Sequence, residues 1–358
     1  MTEKTTTQWR SYRITKFGEP LELQCEALPA VSGTEVLLKV SACGVCHSDL
    51  HIADGYFDLG GGRKTQIGRG EKNLPFTPGH EIVGEVVTLG DDPGDLIIGD
   101  RRVVYPWIGC GKSDCYLCLR GEEHMCGART IGVMKHGGFS NYVVVPHSRY
   151  LVDFAGIPEH IAATYACSGL TAFGSLKKVG RLREGDPLLI IGAGGVGLAA
   201  ISLAKEVTGV APVVAEIDSS KAQAALAAGA SAVIDPTSPD AARTFVKTTG
   251  GAAVVVDFVG SESSAKFAVG ATRRTGKLLI VGLFGGTFQI PVSFFPLLGL
   301  TIQGTQVGSL EELWELIALG KAGKFSAIPV VGRPIATANQ VLSDLRERKI
   351  IGRAVLEV

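Results

Sequence analysis

The stretch LLIIGAGGVGLAAI, residues 188–201, sets Gly192, Gly194 and Gly197 in a G-x-G-x-x-G array. A strand-like apolar run precedes it and an alanine-rich helical run follows. Gly192 would make a tight turn, Gly194 would let the backbone approach a diphosphate, and Gly197 would let helix pack on strand. The diphosphate would rest at a helix N-terminus, where free N–H groups and the helix dipole favour an anion. Nineteen residues after Gly197, in VVAEI, stands Glu216. A carboxylate there accepts both adenosine ribose hydroxyls and repels a 2′-phosphate, so NAD is expected over NADP.

The surrounding chain fits such a unit. From about residue 158, short β-branched runs alternate with alanine-rich stretches: APVVAEIDSSKAQAALAAGA, SAVIDP, GAAVVVDFVG, KLLIVGLFGG. That alternation predicts a doubly wound parallel sheet covered on both faces. Residues 12–150 read differently. EVLLKVSA, EIVGEVVTLG, DRRVVYP and SNYVVVP are short apolar runs bounded by Gly, Pro and Asp, a mostly-β texture. After about residue 304, SLEELWELIALGKAGK reads as an amphipathic helix capped by Ser309 with Glu312 three residues on, and KIIGRAVLEV reads as a strand. The expected division is a mostly-β unit over 1–157 and 304–358 and a dinucleotide-binding unit over 158–303. The glycine-rich DLGGGRKTQIGRGEKNLP, residues 58–75, reads as a flexible surface loop.

Charge and hydropathy exclude several classes. Lys plus Arg and Asp plus Glu each number 35, which gives no electrostatic case for nucleic acid or an acidic membrane surface. The most apolar run, SFFPLLGLTI, falls far short of the ~18 residues of a membrane span. MTEKTTTQWR lacks the apolar core of a signal peptide, so a cytoplasmic location is expected.

In such a compartment clustered cysteines point to metal before disulfides. CGKSDCYLCLRGEEHMC holds Cys110, Cys115, Cys118 and Cys126. Four thiolates close a tetrahedral zinc shell with no open position, a structural site. An iron–sulfur cluster takes the same donors. With four sulfurs present, His124 inside this loop reads as a surface residue.

A second group is SACGVCHSDLH, residues 41–51. Cys43 and Cys46 have the spacing of a redox pair and also of half a zinc site. A catalytic zinc needs about three protein ligands and one open position. TPGHE offers His80 and Glu81, and YACSGLTAF offers Cys167. Composition alone leaves the choice open.

The order CGVCHSDLH, PGHE, GDRRV, four-cysteine lobe, CSGLTAF, GAGGVG and IGRAVL resembles that of the zinc-dependent medium-chain alcohol dehydrogenases over nearly the whole chain. The resemblance implies a Rossmann domain beside a GroES-like, mostly-β catalytic domain. It implies NAD, two zinc ions per chain, and reversible hydride transfer between an alcohol and NAD. Cys46, His80 and Cys167 would hold the catalytic zinc, with Glu81 behind it as an occasional ligand, and Cys43 would be buried and non-ligating. Ser48 would take the alcohol proton and pass it through the cofactor ribose to His51, near solvent. Asp49 would orient the His80 ring. His47 and Arg353 would face the cofactor diphosphate. Gly195, Val196, Lys221 and Val281 complete the implied cofactor contacts. Tyr56, Phe57 and Trp107 are candidates for the substrate pocket.

Two departures stand out. Four residues separate Cys110 from Cys115 where the family has two, and the segment between His51 and His80 is longer than usual. A polyol dehydrogenase of the same superfamily tends to carry a carboxylate as third ligand, and Cys167 argues against it. A zinc-free quinone or enoyl reductase would lack these ligands. A silent nucleotide-binding protein on the same fold would not need an open zinc position and a relay. The expected partners are a small alcohol, aldehyde or ketone and further copies of the chain, as a homodimer or homotetramer.

Overall fold

The computed structural model describes residues 8–68 and 70–358. Two sheets dominate it. One has six parallel strands in the order Ala232–Ile234, Val213–Ala215, Leu188–Ile191, Ala252–Asp257, Thr272–Ile280, Thr301–Gly304. Numbered along the chain, that order is 3-2-1-4-5-6, the arrangement of doubly wound dinucleotide-binding sheets. The order reverses beside Leu188–Ile191, so a crevice opens at the carboxyl end of the strand that precedes Gly192.

Burial along these strands explains their apolar runs. Leu188, Ile190, Val254 and Val256 pack into one core, while Leu189, Ile191, Val255 and Leu278 pack into a second on the opposite face. Successive side chains of a strand alternate faces, so a sheet covered on both sides leaves no polar positions.

The other sheet runs Val330–Pro334, Arg353–Glu357, Val36–Gly44, Glu81–Leu89, Arg101–Val104, Leu151–Asp153, with Tyr142–Val145 also on Val36–Gly44. Its neighbours are antiparallel except the first pair. Gly44 pairs with Glu81. Cys46 follows Gly44 by two residues and His80 precedes Glu81 by one, so this register brings them together.

Helix Leu310–Lys321 begins at Ser309, whose hydroxyl accepts from the Glu312 N–H, with the Glu312 carboxylate accepting in return. The capping signal in the sequence is therefore real.

Residues 58–75 correct the loop reading. Tyr56–Gly60 and Arg63–Gln66 form an antiparallel hairpin, followed by a 3-10 turn at Gly70–Asn73. Arg69 lies outside the described residues. The glycines are turn positions: Gly60, Gly61 and Gly62 all have positive φ. No helix among the described residues is long and apolar enough to cross a membrane.

Candidate active site

Three local devices present the sulfur and imidazole groups. Cys46 is the N-cap of helix His47–Asp54, and Asp49 accepts its backbone N–H at 2.8 Å. His80 follows Gly79, whose φ of 97° no other residue adopts cheaply. A Cβ there would strike the Phe139 ring and lie 2.9 Å from the Cys43 sulfur. Cys43 is thus a buried packing wall outside the ligand set, as the family resemblance implied. Cys167 sits in a π-helical turn, Tyr165–Gly169, between two α-helices. Such bulges concentrate at functional sites. The Ser168 N–H points away to the Glu81 carboxylate at 3.0 Å.

The three ligand atoms lie within 4.8 Å of one another, all on buried residues. The Cys46 and Cys167 sulfurs are 4.0 Å apart. Both ring nitrogens of His80 are buried without a hydrogen-bond partner. Asp49 Oδ1 lies 3.3 Å from Nδ1, near the ring but poorly aligned. Orphaned buried imidazole nitrogens are costly, and a metal ion satisfies one of them. Charge agrees. Burial opposes a protonated His80, yet Asp49 and Cys46 outweigh it and hold its pKa well above the ordinary value. The Cys46 thiol is pulled well down, first by donation from Cys167. The pocket is arranged for a cation.

Glu81 is fully buried but turned from this group. Arg353 Nε donates to Oε2 at 2.9 Å and Nη2 donates to Oε1. Gly44 makes room, since a Cβ there would meet the Glu81 side chain. Arg353 also reaches the glycine turn: a Cβ on Gly195 would lie 3.0 Å from its Nη1.

In the four-cysteine lobe, Cys110 and Cys118 sulfurs are 3.8 Å apart and Cys115 and Cys126 sulfurs 4.0 Å. All four come within 4.8 Å of one another, so the longer first spacing still closes the group. The Cys118 backbone N–H chiefly pulls Cys115 down to about 7, while burial pushes Cys118 up to about 12. Neighbouring thiols resist sharing negative charge, and a divalent cation removes the conflict. His124 corrects the surface reading: it is only 9 % exposed, with Nδ1 buried and unpartnered.

At the glycine turn, Gly192 has φ 91° and helix Gly195–Thr208 starts behind Gly194. A Cβ on Gly197 would run into the Gly192 carbonyl, whereas space beside Gly194 is open. Glu216 Oε2 accepts from Ala193 N–H at 2.7 Å and Oε1 from Ile217 and Asp218 N–H at 2.8 and 3.0 Å. The carboxylate is fixed to the turn it would serve. Val196 is in the first helical turn, and the Lys221 N–H caps on Asp218. Val281 follows strand Thr272–Ile280.

Ser48 Oγ lies 3.8 Å from the Cys46 sulfur. His51 is less open than expected, with Nε2 buried and unpartnered, and burial lowers its pKa. Its ring contacts His47 at 5.3 Å and Phe57 at 5.1 Å. Trp107 is buried, 5.4 Å from the His80 ring, and donates Nε1–H to the Ala166 carbonyl. Tyr56 lies on the hairpin beneath the Lys64 ammonium. Cys25 is exposed and belongs to neither set.

Asp257 and Phe284 also border the site, though neither belongs to a sequence motif. Asp257 closes strand Ala252–Asp257, and its Oδ1 accepts from Val259 and Gly260 N–H. A carboxylate ending an apolar run before a glycine was the available signal. Phe284 touches His47, a contact with no local signature.

Comparison with known proteins agrees with this geometry. Residues 32–157 match the family model described as "Alcohol dehydrogenase GroES-like domain", and residues 195–322 that described as "Zinc-binding dehydrogenase". An NAD-dependent alcohol dehydrogenase of Sulfurisphaera tokodaii is 34% identical over 97% of this chain and 99% of that one. An alcohol dehydrogenase of Geobacillus stearothermophilus is 32% identical over 96% and 98%. The structure of the alcohol dehydrogenase of Aeropyrum pernix superposes with a TM-score of 0.85 at 27% identity, covering 98% of this chain and 100% of that one. A cobalt- and zinc-bound alcohol dehydrogenase of Pyrobaculum aerophilum gives 0.83 at 25% identity, with 98% and 100% covered. With its two sheets, its glycine turn and its two cysteine sets, this chain belongs to the zinc-binding alcohol dehydrogenase family.

Proposed function

We propose that the protein is an NAD-dependent alcohol dehydrogenase whose active zinc is held by Cys46, His80 and Cys167. The observation that carries this reading is the buried set of two sulfurs and one unpartnered imidazole beside Ser48. The reaction removes a hydride from the alcohol carbon and a proton from its hydroxyl, giving aldehyde or ketone, NADH and H⁺. Zinc, when bound, supplies a Lewis acid that makes the alcohol hydroxyl more acidic. NAD, when bound, supplies the hydride acceptor.

The chain's own residues do the rest. Ser48 accepts the hydroxyl proton, since a serine accepts and donates at once. His51 passes it toward solvent, and its lowered pKa keeps it neutral and able to accept. Asp49 fixes the Cys46 and Gly79 backbones and keeps its negative charge 3.3 Å from the His80 ring. Trp107 and Phe57 exclude water from the alcohol. Gly192, Gly194, Gly195 and Val196 cradle the diphosphate, with His47 and Arg353 facing it. Glu216 and Lys221 hold the adenosine ribose, and Val281 lies at the nicotinamide. Cys110, Cys115, Cys118 and Cys126 hold a second, structural zinc. Glu81, held by Arg353, supports the zinc set from behind.

The catalytic part then runs to about residue 157 and resumes at 304, with the cofactor part between. A homo-oligomer fits the edge strand Thr301–Gly304 and the apolar Val292 and Leu297 that precede it in sequence, 83% and 65% exposed. Thiolate ligands call for a reducing compartment, in keeping with the cytoplasm. The test is a panel of primary and secondary alcohols with NAD and zinc-loaded protein, read as NADH formation. Activity with none of them would reject the reading.

A further inference from the structure

Three segments of the antiparallel half grip one loop of the parallel half. That loop is residues 281–286, VGLFGG, directly after strand Thr272–Ile280. Its root is pinned, because Val281 and Gly282 N–H both donate to the Asp257 carbonyl, at 2.9 and 3.0 Å. Gly285 N–H donates to the Gly260 carbonyl at 3.0 Å.

Its far end meets the hairpin. A Cβ on Gly60 would lie 2.5 Å from the Gly286 carbonyl carbon, and one on Gly285 would lie 2.5 Å from the Asp58 carbonyl oxygen. Backbone rides on backbone, and only glycine permits it. Between root and tip stands Phe284. Its ring centroid is 4.7 Å from that of His47, and the Arg348 guanidinium sits 5.8 Å from it. Arg348 holds φ 62°, a left-handed conformation just after helix Ala338–Arg346, where glycine would be unstrained. Phe284 is still 42% exposed.

The location matters. His47 adjoins Cys46, and the loop leaves the carboxyl edge of the parallel sheet, where ligands of such sheets bind. Phe284 therefore spans the crevice mouth from the cofactor side to the zinc side. We propose that Phe284 is a positioning residue for the nicotinamide cofactor. Packed against His47 and near Arg348, it holds loop 281–286 across the crevice mouth and so slows departure of the bound dinucleotide. The inference rests on the function proposed above and adds a residue that governs cofactor release.

The test uses the zinc-loaded full chain in stopped flow, measuring NADH release by displacement and hydride transfer in a single turnover. An aromatic contact of this kind is worth about a factor of ten. Phe284→Ala should raise NADH release and the KM for NAD by about tenfold each, with a smaller change in the hydride step. Phe284→Tyr should restore both. Arg348→Gly should also speed release while raising the melting temperature, because it relieves left-handed strain. Unchanged release in Phe284→Ala overturns the proposal. So does a joint fall of hydride rate and melting temperature that Phe284→Tyr does not restore, which marks a packing role. Wild type that binds NADH but oxidises no alcohol would reject the proposed reaction, and the release rates alone would then decide this inference.

Discussion

Arg353 and Glu81, 272 residues apart, form a two-bonded ion pair in which both side chains are buried. Glu81 follows zinc-ligand candidate His80, and Arg353 borders Gly195 of the nucleotide turn. The pair thus ties the two proposed cofactor sites together. Burial pushes the Glu81 carboxyl up and Arg353 opposes that, so the arginine keeps a buried charge tolerable. Arg353→Met should leave Glu81 stranded and cost about 3–5 kcal/mol. Denaturant unfolding measures it. The double variant Arg353→Met with Glu81→Gln should recover part of the loss, and no recovery would mean that the pair is not the cause.

The two cysteine sets should fail differently. Cys46→Ser should lose one zinc per chain and nearly all turnover while the fold remains. Cys115→Ser should lose the other zinc and lower the melting temperature by about 5–10 °C. Elemental analysis with calorimetry separates them. Iron in place of zinc, or one zinc in the wild type, would contradict the assignment.

Glu216 should set cofactor choice. It is already fixed to the turn by Ala193 N–H, which on the proposed function would set its charge against a 2′-phosphate. Wild type should favour NAD over NADP in kcat/KM. Glu216→Ala should narrow the gap by about tenfold or more, mainly by improving NADP. A wild-type preference for NADP would show that Glu216 does not face the ribose.

His136 should make stability sensitive to acid. Burial, then Arg13, lowers its pKa below the ordinary 6.5, and its Nδ1 accepts from the Thr77 N–H at 3.2 Å. The unfolded chain takes the proton first as pH falls. Stability is therefore full above about 6.5 and declines from there through the folded-state pKa. His136→Gln should flatten the stability curve between pH 7 and 5. An equally steep curve in that variant would place the acid sensitivity elsewhere.

How much of this was legible depended on how local the cause was. The glycine turn, the Ser309 cap and the four-cysteine lobe carry their chemistry within a few residues, and each was readable; Cys46 and Cys167 stand 121 residues apart, and their grouping with His80 came only from the family resemblance. The hairpin was not, because its glycines look the same in a mobile loop, and the backbone it meets lies at Gly285 and Gly286. The Arg353–Glu81 pair and the seat of Phe284 come from tertiary packing, which spacing does not encode. His124 misled for the same reason: a histidine among four cysteines reads as spare, yet packing buries it.

The proton path should separate Ser48 from His51. Ser48→Ala should cut single-turnover alcohol oxidation by about 100-fold or more with zinc retained. His51→Gln should cost about tenfold, most at low pH, and imidazole buffer should restore part of it. Matching pH–rate profiles for wild type and His51→Gln would make His51 a bystander.

The central claim is that Cys46, His80 and Cys167 hold the zinc that makes this chain an alcohol dehydrogenase. The most direct measurement is alcohol-dependent NADH formation by wild type and Cys167→Ser, with zinc per chain determined on the same samples. The account predicts two zinc ions and turnover in the wild type, and one zinc with nearly no turnover in Cys167→Ser. Full turnover by Cys167→Ser with only the lobe zinc present would contradict it.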